Sequence, residues 1–446
     1  MKKNRFRHTM KRSLMIVPML AVATAGVTAT HTAASATTTT TNKVGIVCTS
    51  DASPSPVFNL TTSTGYIDLP DGNTMFMWGY SQAGKPFQHP GPVLCVNEGD
   101  HVTVHLQNNL PKAASIAFPG QADVMANGAY SQPEIDGSGN VTSLTTTAAA
   151  NGGAVTYDFI AGKPGTYIYQ SGTDPENQIR MGLFGAFIVR PAMGAGYSYN
   201  RVDSQFMPSE EFLVLLSEID PYQHQAVENG LTFDLTQYKP RYWLINGRGF
   251  PDSVADNGAS WLPSQPYGSL ARIHEFNPDP AAGLNYHPLP GLARYINVGS
   301  EDYPFHPHGN NGAVVGRDGE PLAAPASVGG ADLSFEKYSI NVGPGQTWDV
   351  LVRWYDAEHY NAATNPVPVV VPSVNNQVFG MFYSGSPYLG NNGTLPPGTN
   401  TLNQCGEFYV IAHNHALYQI TSWGVTMTGP ITYMRIDPPL PNSCPN

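Results

Sequence analysis

Apolar and polar residues alternate with a period of two over many short stretches of this chain. Val102-Thr103-Val104-His105-Leu106 sends its apolar side chains to one face and its polar ones to the other, the pattern of a half-buried strand. It follows Pro92-Val93-Leu94-Cys95-Val96-Asn97-Glu98-Gly99-Asp100. Gly153 to Phe159, Gly165 to Tyr169 and Gly182 to Pro191 read as further strands. A second series opens near Glu211 with Phe212-Leu213-Val214-Leu215-Leu216. It continues through Tyr242 to Arg248 and Ala293 to Val298. Ser339 to Val352 reads as a strand, a Gly-Pro-Gly turn and another strand, and Phe408 to His413 follows near the C-terminus. Gly, Pro and Asn punctuate these runs, and no long stretch repeats apolar residues every 3.6 positions. The pattern predicts an all-β protein of two sandwich or barrel units, 44–191 and 205–446. Residues 356–404, rich in Asn, Pro, Gly and Tyr, read as a loop insertion.

The first residues belong to neither unit. Lys2, Lys3, Arg5, Arg7, Lys11 and Arg12 precede an apolar run from Leu14 to Val27, and Ala34-Ser35-Ala36 supplies a small-residue cleavage site. Residues 1–36 are therefore expected to be a Sec-type signal peptide, followed by a polar leader, 37–43, and a secreted (extracellular or periplasmic) mature chain. The apolar run is short for a membrane span, and no other candidate is present. Export agrees with the composition: only 12% of residues are charged. A net charge of −11 with 22 Lys plus Arg argues against nucleic acid or an anionic membrane as partner. An even count of four cysteines suggests disulfides, and Cys48–Cys95 with Cys405–Cys444 is the most economical of the three connectivities.

Chemistry concentrates in two His-X-His pairs, His306-Pro307-His308 and His413-Asn414-His415. In a strand, residues i and i+2 share a face, so each pair presents two imidazoles together. Two such strands side by side would form a four-imidazole cluster, and neutral imidazole binds copper, zinc, iron and nickel. The remaining histidines carry less. His101 and His105 fall on the solvent face of their strand, and His89 sits in a turn from which it could approach the site. His274 and His287 lie in an insertion before the first pair, as exposed loop residues or as a fifth ligand. Tyr303 and Tyr169 flank or replace ligand positions, and Asp302 or Glu301 could orient an imidazole.

Several longer motifs accompany the pairs. Pro92-Val93-Leu94, Val96, Glu98-Gly99-Asp100, Gly182 to Val189, Leu244-Ile245-Asn246-Gly247 and Gly343 to Val352 together resemble the multicopper oxidases, including two-domain laccases and copper nitrite reductases. The resemblance spans most of 44–440. It implies tandem cupredoxin-like Greek-key β-sandwich or barrel domains, copper as cofactor, and His306, His308, His413 and His415 as its ligands. A homo-oligomer, by analogy a trimer, is also implied.

The same resemblance marks what is missing. The first-domain histidine pairs fall at Ala117 and Pro119 and at Gln170 and Gly172. The blue, type 1 copper ligands fall at Tyr303, Asn414 and Gln419, with the axial position near Gly424. A blue copper needs a thiolate and two imidazoles. The expectation is a secreted copper-binding oxidoreductase with a four-histidine site and no type 1 copper, acting on a small-molecule substrate or electron donor that the sequence does not define. The alternatives are a non-catalytic copper storage or delivery module, and a structural surface protein that has lost its metal.

Overall fold

The alternating stretches fold as strands in the computed structural model of the chain, which describes residues 43–281, 287–309, 311–324, 330–355 and 408–437 together with Cys444. The expected signal peptide, the leader up to residue 42, the 356–404 insertion and Cys405 lie outside the described residues.

Residues 48–190 supply two sheets. One runs Cys48–Thr49, Val93–Asn97, Phe184–Arg190, Gly165–Gln170. The other runs Thr74–Gln82, Val57–Asp68, His101–Asn108, Gly153–Ile160 and ends in two short strands. Their facing sides share one core in which Trp78, Tyr80, Val102, Val104 and Leu106 meet Leu94, Val96, Phe187 and Val189. The period of two is what makes this possible, because it sends His101 and His105 to solvent while their neighbours are buried. Cys48 and Cys95 lie on adjacent strands of the first sheet and form the expected disulfide.

Residues 211–437 supply two more sheets. The larger contains Glu211–Ile219, Gly291–Asn297 and Thr347–Val352. The five-stranded one runs Ala271–His274, Ile431–Asp437, Phe408–Asn414, Tyr303–Pro307, Ile340–Val342. Phe212, Val214, Leu216, Tyr295 and Val350 from the first pack against Phe305, Val410, Ala412 and Ile436 from the second. The fold is all-β and cupredoxin-like. Among the described residues the α-helices are Pro175–Gln178 and Pro221–Glu228. The second begins at an Asp-Pro signal: the Asp220 side chain accepts from the Tyr222 amide, and Pro221 occupies the first turn.

The two pairs of sheets join through an apolar seam of Val93, Ile168, Phe184, Ala186 and Ile188 against Leu213, Leu215, Ile296 and Val298. A buried ionic network runs alongside. Arg190 and Arg294 both donate to Glu211 Oε1 at 2.5 Å. Arg294 also donates to Thr166 at 2.8 Å, and Tyr199 donates to Asp349 at 2.6 Å. Buried charges persist only when paired in this way.

Candidate metal centre

Strand register builds the site. Tyr303–Pro307 pairs antiparallel with Phe408–Asn414, and His306 stands directly opposite His413. His308 and His415 follow two residues later on each strand and return to the same face. The four rings converge. His306 lies 4.8 Å from His308, 5.7 Å from His413 and 5.2 Å from His415 between ring centroids, and His413 stacks on His415 at 5.6 Å. His308 Nε2 and His413 Nε2 are 3.0 Å apart. Gly309, at φ +84°, closes the first pair: a Cβ there would stand 2.5 Å from the Trp354 ring.

Backbone carbonyls orient two of the imidazoles. His306 Nδ1–H donates to the Tyr338 carbonyl at 3.0 Å, and His413 Nδ1–H donates to the Asn414 carbonyl at 2.7 Å. A hydrogen bond on Nδ1 leaves Nε2 as the free lone pair, the tautomer a metal ligand needs. Desolvation, followed by the neighbouring imidazoles His413, His306 and His415, lowers His308 to about 4. His413 is lowered as well, chiefly by burial. Neutral nitrogens crowded at hydrogen-bond distance suit a cation of borderline softness such as copper or zinc. The cluster is not sealed. His306, His308 and His413 are half-buried and His415 is exposed.

Residues 71–193 match the family described as multicopper oxidase. Over these residues the chain is similar to the multicopper oxidases. Curated relatives include L-ascorbate oxidase from Cucumis sativus, 32% identical over 175 residues, which cover 38% of this chain and 26% of that protein. Laccase-18 from Oryza sativa subsp. japonica is 27% identical over 316 residues, covering 69% and 45%. The chain therefore spans less than half the length of either relative. Among solved structures, the blue copper oxidase from Nitrosomonas europaea shares the fold, with a TM-score of 0.55 at 16% identity over 86% of this chain and 85% of that one. The multicopper-oxidase family and these homologues imply copper as the cofactor.

The match falls on the half in which the resemblance expects histidines at Ala117, Pro119, Gln170 and Gly172. Ala117 forms a reciprocal backbone pair with Gln170, at 2.7 and 3.1 Å. The pairing is the counterpart of His306 opposite His413, and neither Ala117 nor Gln170 brings an imidazole. Hydroxyls fill the space nearby, with Ser115 and Ser143 both bonded to Thr173, and Ser171 bonded to Gln178.

The residues expected at the type 1 positions, Tyr303, Asn414 and Gln419, belong to a hydrogen-bond network. Tyr303 is fully buried and donates to Glu218 Oε2 at 2.6 Å. Tyr238 and the Ser300 amide serve Glu218 Oε1. Asn414 Nδ2 donates to Gln419 Oε1, and Gln419 Nε2 reaches Glu301 at 2.6 Å. Gly424 is exposed at a turn. The described cysteines, Cys48, Cys95 and Cys444, are all disulfide-bonded, so none of them offers a thiolate.

The other residues weighed from sequence sit elsewhere. His89 is buried beside Phe184, its rings 5.2 Å apart, and Gly182 leaves it room. Glu301 accepts from Trp243 and Gln419 instead of orienting an imidazole. Tyr169 donates to the Pro92 carbonyl. His274 and His287 are not exposed loop residues: His287 is 2% exposed, and both meet Glu210. Glu210 carried no signal in the sequence, because no motif links it to histidines 64 and more residues away.

Proposed function

We propose that this chain is an exported copper protein of multicopper-oxidase type that holds copper through His306, His308, His413 and His415, lacks a type 1 centre, and performs oxidoreductase chemistry on a small molecule. The observation that supports it most is the strand register, which sets two His-X-His pairs face to face with Nδ1 of His306 and of His413 committed to carbonyls. Segments 44–191 and 205–446 are read as its two domains, the first having lost its ligands.

Copper bound there supplies a redox-active, Lewis-acidic centre. The protein's part is positional. Backbone carbonyls of Tyr338 and Asn414 fix two rings, and the low basicity of His308 keeps its ring uncharged at neutral pH, with one of its two nitrogens unprotonated. The half-open cluster admits a small molecule directly. With Tyr303 bonded to Glu218, Asn414 to Gln419 and Gln419 to Glu301, no described cysteine offers a thiolate relay for electrons from a distant surface donor. A reductant must therefore meet the cluster itself.

The exposure of His415 equally suits a second reading, a copper storage or delivery module. Oxygen uptake by the copper-loaded full chain, with ascorbate or a phenol as electron donor, separates the two. Uptake that disappears in His306→Ala/His413→Ala supports the oxidoreductase. Copper bound by the wild type with no uptake supports delivery. Uptake unchanged by the double substitution contradicts both.

A further inference from the structure

A second set of metal-binding side chains stands at the other end of the five-stranded sheet. Glu210 ends the turn Pro208–Glu210, His274 ends the strand Ala271–His274, and His287 returns beside them. Reciprocal backbone hydrogen bonds between Asn277 and His287, both 2.9 Å, bring the second histidine back. The two rings stack at 5.2 Å with an interplanar angle of 28°. Glu210 Oε1 lies 2.6 Å from His274 Nδ1 and 3.3 Å from His287 Nε2. One donor atom from each residue falls within 4.8 Å of the others.

Register separates this set from the four histidines. His274 is level with Asp437, whereas His413 is level with Ile431 on the same strand. Six residues at about 3.3 Å each put the two clusters roughly 20 Å apart along the sheet.

Burial points to a ligand. Glu210 is 3% exposed and His287 2%. Glu210 Oε2 and His287 Nδ1 are buried without a hydrogen-bond partner. Buried polar atoms of this kind are normally satisfied, and a carboxylate with two imidazoles is a donor set that metals satisfy. Gly291 makes the space, since a Cβ there would stand 2.9 Å from the Glu210 carbonyl and 2.8 Å from Ile273.

We propose that Glu210, His274 and His287 form a second metal site, for a divalent ion of the zinc class. Its donor set is two nitrogens and one oxygen, without sulfur, which suits zinc in a three-ligand site with a fourth position open. Donors around a tetrahedral zinc stand about 3.3 Å apart. The Glu210–His287 pair already has that separation. His274 Nδ1, 2.6 Å from Glu210 Oε1, would have to swing outward to reach it; its side chain is 15% exposed, which gives it that freedom and marks the route to solvent. The ion would tie the entry to the strand Glu211–Ile219 to the edge strand Ala271–His274, and so join the two sheets of this half. The site does not depend on the reading of the four histidines.

The test uses the full chain carrying His306→Ala/His413→Ala, stripped with a chelator, loaded with zinc or cobalt(II), and desalted. Expected are about one equivalent of metal per chain, a metal-dependent rise in melting temperature, and visible cobalt absorption. Adding Glu210→Gln, or separately the milder His274→Gln, should weaken zinc binding about tenfold or more and abolish the melting shift. Circular dichroism of each metal-free variant checks that the fold survives, and if Glu210→Gln fails to fold, His274→Gln decides. Failure of the parent to retain zinc, or equal retention with and without His274→Gln, overturns the proposal.

Discussion

Tyr303, at a position where the resemblance expects a copper ligand, is instead part of the buried structure. Its hydroxyl reaches Glu218, a carboxyl raised above its usual range, first by burial, while the Tyr303 hydroxyl and the Ser300 amide oppose the rise by favouring the charged form. Removing one partner of a buried polar pair costs more than the bond itself, because the other partner stays desolvated. Tyr303→Phe should therefore lower stability by about 1–3 kcal/mol in urea unfolding, with copper uptake unchanged. A variant as stable as wild type would show that Glu218 does not depend on the tyrosine. At this scale the sequence was partly legible. That Tyr303, Asn414 and Gln419 stand where the resemblance expects type 1 ligands could be read from the motif. Their new partners, Glu218 and Glu301, could not, because hydrogen bonds between distant residues leave no spacing to read.

Among elements, many strands were legible, whereas Val57–Asp68, Thr74–Gln82, Ile431–Asp437 and the short helix were not. Alternation records which face of a strand is buried, so the pairing of two His-X-His strands could be anticipated from two motifs about a hundred residues apart. The helix Pro221–Glu228 is too short to establish a period. It matters for pH. His224 on it is fully buried, with Nδ1–H donating to the Phe76 carbonyl of the strand Thr74–Gln82 at 2.7 Å. Burial lowers His224 from 6.5 to about 4, and burial followed by the charge of His224 lowers His89 from 6.5 to about 3. Both stay neutral in the folded chain while their unfolded counterparts take up protons. Their stability contribution is thus fully present above pH 6.5 and is lost as pH falls towards 4 and 3. For His224 the loss is on the order of 3 kcal/mol. Unfolding midpoints measured across this range should fall less steeply in His224→Gln than in wild type. Parallel profiles would place the acid sensitivity elsewhere.

For the whole molecule, the proposed function rests on which half carries the His-X-His pairs. The multicopper-oxidase match lies at 71–193, where the resemblance expects ligands at Ala117, Pro119, Gln170 and Gly172. All four retained histidines lie in the other half, with the buried type 1 positions beside them already satisfied by hydrogen bonds. The apolar seam and the Arg190–Glu211–Arg294–Asp349 network hold the halves together without metal. The all-β fold and the four histidines were legible in the sequence because they rest on local periodicity. The Glu210 cluster, whose members are scattered along the chain, became legible only in three dimensions.

The central claim is a copper site of four histidines without a blue centre. Its most direct test is copper content per chain after loading and desalting, with the visible spectrum recorded on the same samples, for wild type and His306→Ala/His413→Ala. The account predicts about one to two coppers in the wild type, no intense blue band, and loss of that copper in the double variant. No bound copper, a blue band, or copper content indifferent to the two substitutions would contradict it.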